Sequence, residues 1–395
     1  MNDKHQRKDN LICHSASSEE SYVFIEFLAR HIWVYYNPNT PKVAIILTYT
    51  YLSISLFSIY VKIFLMKILV YQTAFLGDLI LTTPLLESIK NIYPNSHLAI
   101  ITKSFGKDVL KNNPFVDELI IFEKSKDSTI DLIKKIRKRF DIAISPHRSH
   151  RASYVLFFAS IKKRIGFDKA GFSFLYTDLV PHRFDGTHEI DRNLKLLEKL
   201  PDFDEKKIVK DPKLFLDEVE DKYIQKYNLT SKNYIVIAPG SKWATKRWTE
   251  KGFASVIDYL ISKNENVVLI GGKEDEEFTS RILNIAKYTP LNLVGKSSLR
   301  ESFAIIKHSK LLISNDSAPV HMAVAFNVPI IDIYGPTVKD FGFYPYKNGI
   351  VVEIEGLKCR PCGLHGHNKC PIGTHECMEK INPEMVIENI DKILS

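Results

Sequence analysis

Residues 67–101, KILVYQTAFLGDLILTTPLLESIKNIYPNSHLAII, join two apolar runs through a longer amphipathic stretch. The first run predicts a strand over 67–73, and apolar residues recurring at helical spacing predict a helix over 78–92. Pro94 and Asn95 end that helix, and a second strand is predicted at 97–101. Strand, helix and strand in this order form a βαβ unit, which predicts a parallel sheet covered by helices.

The same alternation continues on both sides of a charged stretch at 201–232. We therefore predict the α/β class, with two doubly wound Rossmann-like domains at 66–215 and 216–382. A C-terminal helix is predicted at 383–395, with Pro383 in its first turn. Ligands bind at the carboxyl ends of strands in such sheets, so function is expected in a central cleft that both domains face.

Composition supports two domains and an anionic ligand. The 395 residues exceed the length at which one hydrophobic core usually keeps growing, and 45% apolar with 25% charged residues is typical of globular proteins. The formal net charge of +8 favours partners such as sugar nucleotides, acidic glycolipids or membrane surfaces.

Residues 1–65 differ from the rest because 43–61 carry no charged side chain. That length approaches a membrane span, although Tyr, Ser and Thr are frequent in it. Two interpretations remain open: a membrane anchor, or translation from upstream of a true start at Met66. Both leave the segment outside the predicted catalytic fold.

The turn after the first predicted strand, QTAFLGD at 72–78, contains Gly77 and Asp78. It lacks the three glycines of a dinucleotide-binding loop, which argues against a hydride-transfer enzyme. An Asp at a helix start commonly caps the helix, so Asp78 is either a cap or a functional carboxylate.

Three later loops carry phosphate-binding chemistry. Gly240 and Ser241 follow a predicted strand and precede Lys246, so backbone donors and a cation could share the charge of a diphosphate. Glu274 follows the next strand, where carboxylates bind ribose hydroxyls in related folds. The third loop, NDSAPVHMA at 315–323, enters a helix whose N-terminus favours phosphate.

Four blocks in this order resemble glycosyltransferase family 9, the lipopolysaccharide heptosyltransferases, from about residue 66 onward. They are LGD at 76–78, PG at 239–240 with KRW at 246–248, DSA at 316–318 with His321, and GPT at 335–337. The resemblance implies a GT-B architecture, with the acceptor in the first half and the sugar nucleotide in the second.

The resemblance also implies a reaction: inverting, metal-independent transfer of heptose from ADP-heptose to the lipopolysaccharide inner core. Asp78 becomes the general base, Lys246 neutralises the leaving diphosphate, and no cofactor is required for catalysis. The enzyme would be cytoplasmic, in peripheral contact with the inner membrane. The implied donor-binding residues are Gly240, Ser241, Lys246, Glu274, Asp316, Ser317, Ala318 and His321.

The acceptor side is less defined, because Gln72 stands where many family members have a basic residue. The cationic segment 147–151 suggests Arg148 and Arg151 as contacts for an anionic glycolipid acceptor; a basic surface loop is the alternative. The cations between 134 and 139 are expected on a solvated or membrane-facing side of a helix.

Four of the five cysteines fall close together, at Cys359, Cys362, Cys370 and Cys377. This pattern is compatible with a structural zinc ion or with free, redox-labile thiols. No catalytic role follows for them.

Two other functions stay open at this point: transfer of another nucleotide-activated sugar, and a sugar-nucleotide epimerase on the same architecture. A nucleic-acid partner is not expected, since a basic stripe with stacked aromatics or a known binding module is absent from the sequence.

Overall fold

The computed structural model describes residues 66–395 and, before them, the backbone of three strands, β1 (Ser21–Phe27), β2 (Arg30–Tyr36) and β3 (Ala44–Leu47). These strands pair antiparallel in the order β1-β2-β3. The predicted apolar stretch at 43–61 lies outside the described residues except for β3. The chain divides after Phe64 into two units, and both parallel sheets belong to the second.

The first parallel sheet has six strands in the order β6-β5-β4-β7-β8-β9. The chain begins with the central strand β4, adds β5 and β6 towards one edge, and then returns to add β7, β8 and β9 towards the other edge. This is the doubly wound topology. Its strands are β4 (Lys67–Tyr71), β5 (His97–Thr102), β6 (Glu118–Ile121), β7 (Ile142–Ser145), β8 (Lys163–Phe167) and β9 (Asp178–Val180). Its helices are α1 (Leu76–Ile92), α2 (Gly106–Val109), α3 (Thr129–Ile136), α4 (His150–Phe158) and α5 (Glu189–Lys195).

The second sheet repeats the topology, with the order β12-β11-β10-β13-β14-β15. Its strands are β10 (Ile235–Ala238), β11 (Val267–Leu269), β12 (Leu291–Asn292), β13 (Leu311–Asn315), β14 (Ile330–Tyr334) and β15 (Gly349–Glu353). The remaining helices are α6 (Glu218–Asp221), α7 (Glu250–Ser262), α8 (Glu276–Leu283), α9 (Leu299–Lys307), α10 (Ala318–Ala325), α11 (Glu376–Glu379) and α12 (Pro383–Leu394). The predicted α/β class with two doubly wound sheets is confirmed.

Three strands of the two parallel sheets, β8, β9 and β15, were not predicted, and neither were β1, β2 and β3 in the segment before residue 66. β8 contains two cations in the sequence KRIGF, and β9 has only three residues. Strands β8, β9 and β15 lie towards one edge of their sheet, where the apolar signal of a buried central strand is weaker. The domain limits at 215 and 382 stay predictions.

The two sheets share a core. One continuous cluster of buried apolar side chains includes Leu85 of α1 from the first half and Val320 and Ala323 of α10 from the second. Burying a large aliphatic side chain contributes about 1.5–3 kcal/mol, so this shared cluster holds the two halves together.

A buried ion pair adds a second link between the halves. Arg300 of α9 donates from Nε to Glu220 Oε1 at 3.0 Å, and from Nη1 to the backbone oxygen of Asp108 at 2.7 Å. Lys111 donates to the same Glu220 carboxylate at 2.5 Å. Burial opposes the charge on Glu220, but the donors from Arg300 and Lys111 outweigh it and lower its pKa to about 2.

Among the helices that the structure describes, none combines the length and the apolar character needed to cross a bilayer.

Candidate active site

A cavity of about 500 Å³ lies where the carboxyl ends of the two sheets face each other. The predicted catalytic residue and every predicted donor-binding residue line it. They are Asp78, Gly240, Ser241, Lys246, Glu274, Asp316, Ser317, Ala318 and His321. The structure therefore brings together side chains that are up to 243 positions apart in the sequence, from Asp78 to His321.

Asp78 lies in the first turn of α1 and caps it. Its Oδ2 accepts a hydrogen bond from the backbone N–H of Phe75 at 3.1 Å. Burial raises the pKa of the Asp78 carboxyl, while that N–H and the charges of Arg148 and Lys103 act in the opposite direction. The side chain thus caps the helix and also faces the cavity, and its role as a functional carboxylate stays a prediction.

Gly77 sets the distance between the two halves at this point. A Cβ atom on Gly77 would lie 2.6 Å from Cδ2 of His321, closer than side-chain atoms pack. Only a glycine lets the start of α1 approach the first turn of α10 so closely. Asp78 and His321 consequently share one wall of the cavity.

Lys246 and Asp316 form an ion pair within the cavity wall. Lys246 Nζ donates to Asp316 Oδ2 at 2.5 Å, and the hydroxyl of Thr337 donates to the same oxygen at 2.6 Å. Both charged side chains are largely buried, with 12% and 8% of their surfaces exposed. The carboxylate holds the ammonium group at the mouth of α10, where it can share the charge of a diphosphate.

Asn315 ties together the two loops that are predicted to bind phosphate. Its Nδ2 donates to the backbone oxygen of Pro239 at 2.6 Å, and its Oδ1 accepts from the N–H of Trp248 at 2.9 Å. Asn315 and Trp248 are fully buried. The loop at 239–248 is thereby fixed to the end of β13, directly before α10.

His321 is buried, and its Nδ1 has no hydrogen-bond partner among the described residues. Burial lowers the pKa of His321 to about 4; the charge of Asp316 opposes this change and that of Lys246 adds to it. The imidazole is therefore neutral near pH 7 and offers a free polar atom beside the N-terminus of α10, a position suited to an anion or a hydroxyl group.

Glu274 reaches the cavity from an exposed turn, whereas its neighbour Asp275 is buried. Asp275 Oδ2 accepts the N–H of Gly272 at 3.0 Å, and its carboxylate fills the space that a Cβ on Gly240 would need. Gly240 is thus required for this close approach. Sequence analysis did not select Asp275, although it adjoins the predicted Glu274.

The two predicted acceptor residues are not part of the cavity wall. Arg148 lies close enough to Asp78 for its charge to act on that carboxyl, and its guanidinium carbon is 5.4 Å from the ring of Phe184. Arg151 lies 5.8 Å from the ring of Phe122. Their acceptor role stays a prediction, and of the two only Arg148 is close enough for its charge to act on the Asp78 carboxyl.

Two lysines that sequence analysis did not select stand near Asp78. Lys103 Nζ donates to the backbone oxygen of Ala74 at 2.7 Å and lies 5.5 Å from the ring of Phe75. Lys242, from the second half, lies 4.5 Å from the same ring. Neither has a carboxylate within salt-bridge distance in the part of the chain that the structure describes. Two cations from opposite halves therefore flank the rim of the cavity.

The Cys-rich loop at 359–377 forms part of the cavity wall through Leu364 and His365. The ring of His365 stacks on Trp243 with 6.4 Å between centroids and 10° between planes. Behind it, Thr245 N donates to the backbone oxygen of His367 at 3.0 Å, which fastens this loop directly beside Lys246. The contribution of this loop to the cavity wall was not predicted, because the loop is more than 110 positions away from Lys246 in the sequence.

None of the four cysteines in this loop lines the cavity. Burial raises the pKa of the Cys377 thiol to about 11, and the other three thiols add to the increase. At Cys370 backbone N–H donors, led by that of His375, outweigh burial and lower the pKa. In residues 66–395, no three or more His, Cys, Asp or Glu side chains are arranged so that they could hold a metal ion. The structural metal at the four cysteines stays a prediction.

Comparison with known proteins gives a consistent result. The sequence profile of glycosyltransferase family 9 (heptosyltransferase) matches residues 129–369, more than half of the chain. Lipooligosaccharide heptosyltransferase 2 of Haemophilus influenzae is 27% identical over 354 residues, which cover 84% of this chain and 100% of that protein.

Two solved structures share the fold. The glycosyl transferase family 9 protein of Veillonella parvula superimposes with a TM-score of 0.73 at 26% identity, covering 83% of this chain and 97% of that one. The Escherichia coli ADP-heptose LPS heptosyltransferase II superimposes with a TM-score of 0.67 at 24% identity, covering 83% and 98%. These likenesses confirm the predicted GT-B architecture.

Proposed function

The chain belongs to glycosyltransferase family 9, and from that premise we propose that it transfers heptose from ADP-heptose to the inner core of bacterial lipopolysaccharide. One observation carries the proposal: Asp78 from the first half and the Lys246–Asp316 pair from the second half line the same cavity. The named activities of the relatives supply the sugar, the nucleotide and the acceptor.

The second half is proposed to bind the donor. The diphosphate would lie between Lys246 and the N-terminus of α10, where Ser317, Ala318 and the neutral His321 meet it. Gly240 and Ser241 would add backbone donors, because oxyanions are held well by backbone N–H groups and a nearby cation. Asp316 would keep the Lys246 ammonium in position, and Glu274 would bind the ribose hydroxyls.

The first half is proposed to supply the base. As the acceptor oxygen attacks the anomeric carbon, Asp78 takes its proton, and the bond between that carbon and the diphosphate oxygen breaks with its electron pair leaving on the diphosphate. Attack from the face opposite the leaving group inverts the anomeric configuration. The raised pKa of Asp78 makes its carboxylate a stronger base than an exposed Asp.

A metal ion is not needed in this scheme, because Lys246 and the dipole of α10 would carry the charge of the departing diphosphate. For the acceptor, Arg148 and Arg151, together with Lys103, would attract the acidic groups of the glycolipid. Since that glycolipid is embedded in a membrane, we propose that the enzyme works at the cytoplasmic face of the inner membrane, in peripheral contact with it and without a nucleic-acid partner.

The test is turnover of purified protein with ADP-heptose and a truncated core glycolipid. ADP release together with a product of inverted anomeric configuration, determined by NMR coupling constants, supports the proposal. Transfer only from a different nucleotide sugar, with release of that donor's nucleoside diphosphate, would contradict the donor. Epimerised sugar nucleotide without glycolipid product would contradict transfer altogether.

The cysteine site is tested separately by elemental analysis of protein purified without chelators. About one zinc ion per chain would support the structural ion, whereas metal-free protein with four reactive thiols would contradict it.

A further inference from the structure

Four phenylalanine side chains are exposed on the outer surface of the first half. The exposed fractions are 42% for Phe157, 56% for Phe158, 46% for Phe172 and 77% for Phe174. Single exposed apolar residues are common, but a contiguous group of large ones marks an interaction surface. These four residues are here called the phenylalanine patch.

Contacts join the four rings into one surface. Phe157 and Phe158 lie with their centroids 5.3 Å apart, and Phe172 and Phe174 lie 6.0 Å apart. Arg164 connects the two pairs: its guanidinium carbon is 5.4 Å from the Phe157 ring, and its Nε donates to the backbone oxygen of Leu175 at 2.8 Å. Through Arg164, the ring pair on α4 and the ring pair in the turn that follows β8 lie on neighbouring parts of one surface.

Cations border the patch on the side of α3. The backbone N–H of Lys138 donates to the oxygen of Ala159 at 2.9 Å, which places the basic segment 134–139 next to Phe158. Several exposed cations here have no carboxylate within 4 Å in the described part of the chain, in contrast to Arg139, which pairs with Glu118. They are Lys135, Arg137, Lys138 and Lys162.

The other end of the patch reaches the acceptor side of the cavity. The ring of Phe172 lies 4.8 Å from that of His150, and the N–H of Gly171 donates to the backbone oxygen of Arg148 at 3.0 Å. Arg148 is the residue whose charge acts on Asp78. A body that covers the phenylalanine patch would thus lie near Arg148, the proposed acceptor contact.

We propose that the phenylalanine patch and its bordering lysines and arginines dock on the surface of an anionic lipid bilayer. Aromatic rings enter the interface between headgroups and acyl chains, and lysines are attracted by anionic headgroups. The exposed rings, and the cations around them that have no carboxylate partner among the described residues, are complementary to the apolar and anionic parts of such a bilayer surface. A second copy of the chain matches poorly, since its patch would carry the same charge. The inference rests on the proposed function only for the identity of the membrane-held acceptor.

The experiment measures co-sedimentation of the full-length chain with vesicles of phosphatidylglycerol and, in parallel, of phosphatidylcholine. The test variants are Phe158→Ser with Phe174→Ser, and Lys135→Gln with Lys138→Gln. The matched control is Ile285→Ser with Tyr288→Ser, two exposed side chains of the second half. All variants keep residues 1–64, so any contribution of that segment is common to them.

We expect the wild type to bind the anionic vesicles more tightly than the zwitterionic ones. The phenylalanine variant should lose roughly tenfold or more in partitioning, and the lysine variant roughly tenfold at low salt. The control should bind like the wild type. Turnover of a water-soluble acceptor fragment should stay unchanged, while turnover of acceptor in vesicles falls with binding.

Equal vesicle binding by all variants would overturn the proposal, as would equal binding to both lipids. A wild-type dimer in solution that the phenylalanine variant converts to monomer would assign the patch to a second copy instead. If neither the wild type nor any variant turns over either acceptor, the proposed function is wrong. The vesicle measurement still tests the docking surface in that case.

Discussion

Replacing Asp78 by Asn removes the proposed base and keeps the shape of the side chain. The amide oxygen of Asn can still accept the Phe75 N–H that Asp78 accepts at 3.1 Å, so the cap of α1 persists. Loss of general-base catalysis typically costs a hundredfold to ten-thousandfold in rate, about 3–5.5 kcal/mol in the activation barrier. We expect kcat to fall by this amount while the Kd for ADP-heptose, held by the second half, changes little.

The assay is ADP release at saturating donor, with donor binding measured by calorimetry. Asp131→Asn is the matched control, because Asp131 also lies in the first turn of a helix, with an exposed side chain and away from the cavity. Near-normal turnover of Asp78→Asn would refute the assignment of the base. Loss of folding in Asp78→Asn would contradict the expectation that the Asn side chain keeps the cap of α1.

The pH dependence follows from the same side chain. Because burial raises the pKa of Asp78 above 3.8, and the base must be ionised, kcat/KM should rise with pH through an apparent pKa higher than that value. Because the pKa is raised in the folded state, ionisation of Asp78 costs more in the folded than in the unfolded protein and lowers stability at pH 7. Asp78→Asn should therefore unfold at an equal or higher temperature at pH 7.

Three further predictions concern the donor loop, the contact between the halves and the buried ion pair. Lys246→Met should lower kcat/KM at least a hundredfold with intact folding by circular dichroism, because the leaving diphosphate loses its cation; unchanged kinetics would contradict this role. Gly77→Ala should lower turnover and Tm together, since the added Cβ would lie 2.6 Å from His321; a fully active, equally stable variant would show that the halves do not meet there in solution. Glu220→Gln should destabilise the fold by about 3–5 kcal/mol at pH 7, because Arg300 loses its buried partner. The pKa of Glu220 is lowered from 4.5 to about 2. The wild type is therefore more stable than the variant above pH 4.5, and this difference in the free energy of unfolding disappears as the pH falls towards 2. Urea unfolding at several pH values measures it.

The sequence predicts the fold and the grouping of the cavity residues well, because both follow from local patterns. Buried central strands such as β4 and β10 are nearly uninterrupted apolar runs, and loops after them must converge at the carboxyl edge of a parallel sheet. The predicted cavity residues accordingly lie together. That apolar signal is weaker in β8, which contains two cations, and in β9 and β15, which lie at sheet edges, and these three strands were missed.

The missed site residues depend on tertiary contacts that no local pattern encodes. Lys103 is an ordinary lysine after β5 until the fold sets it beside Phe75. His365 enters the cavity only because Thr245 and Pro336 anchor the Cys-rich loop, through bonds to His367 and Cys362. Sequence spacing among the cysteines suggested metal chemistry and gave no sign that their loop forms a wall of the site.

The central claim is that the Asp78 carboxylate from the first half acts on a sugar whose diphosphate is bound by the second. The most direct measurement is a crystal structure with a non-transferable ADP-heptose analogue and a truncated acceptor bound together. The account predicts the acceptor hydroxyl within about 2.6–3.2 Å of an Asp78 oxygen, with the diphosphate against Lys246 and the start of α10. A sugar turned away from Asp78, or a diphosphate bound outside the loops of the second sheet, would contradict it.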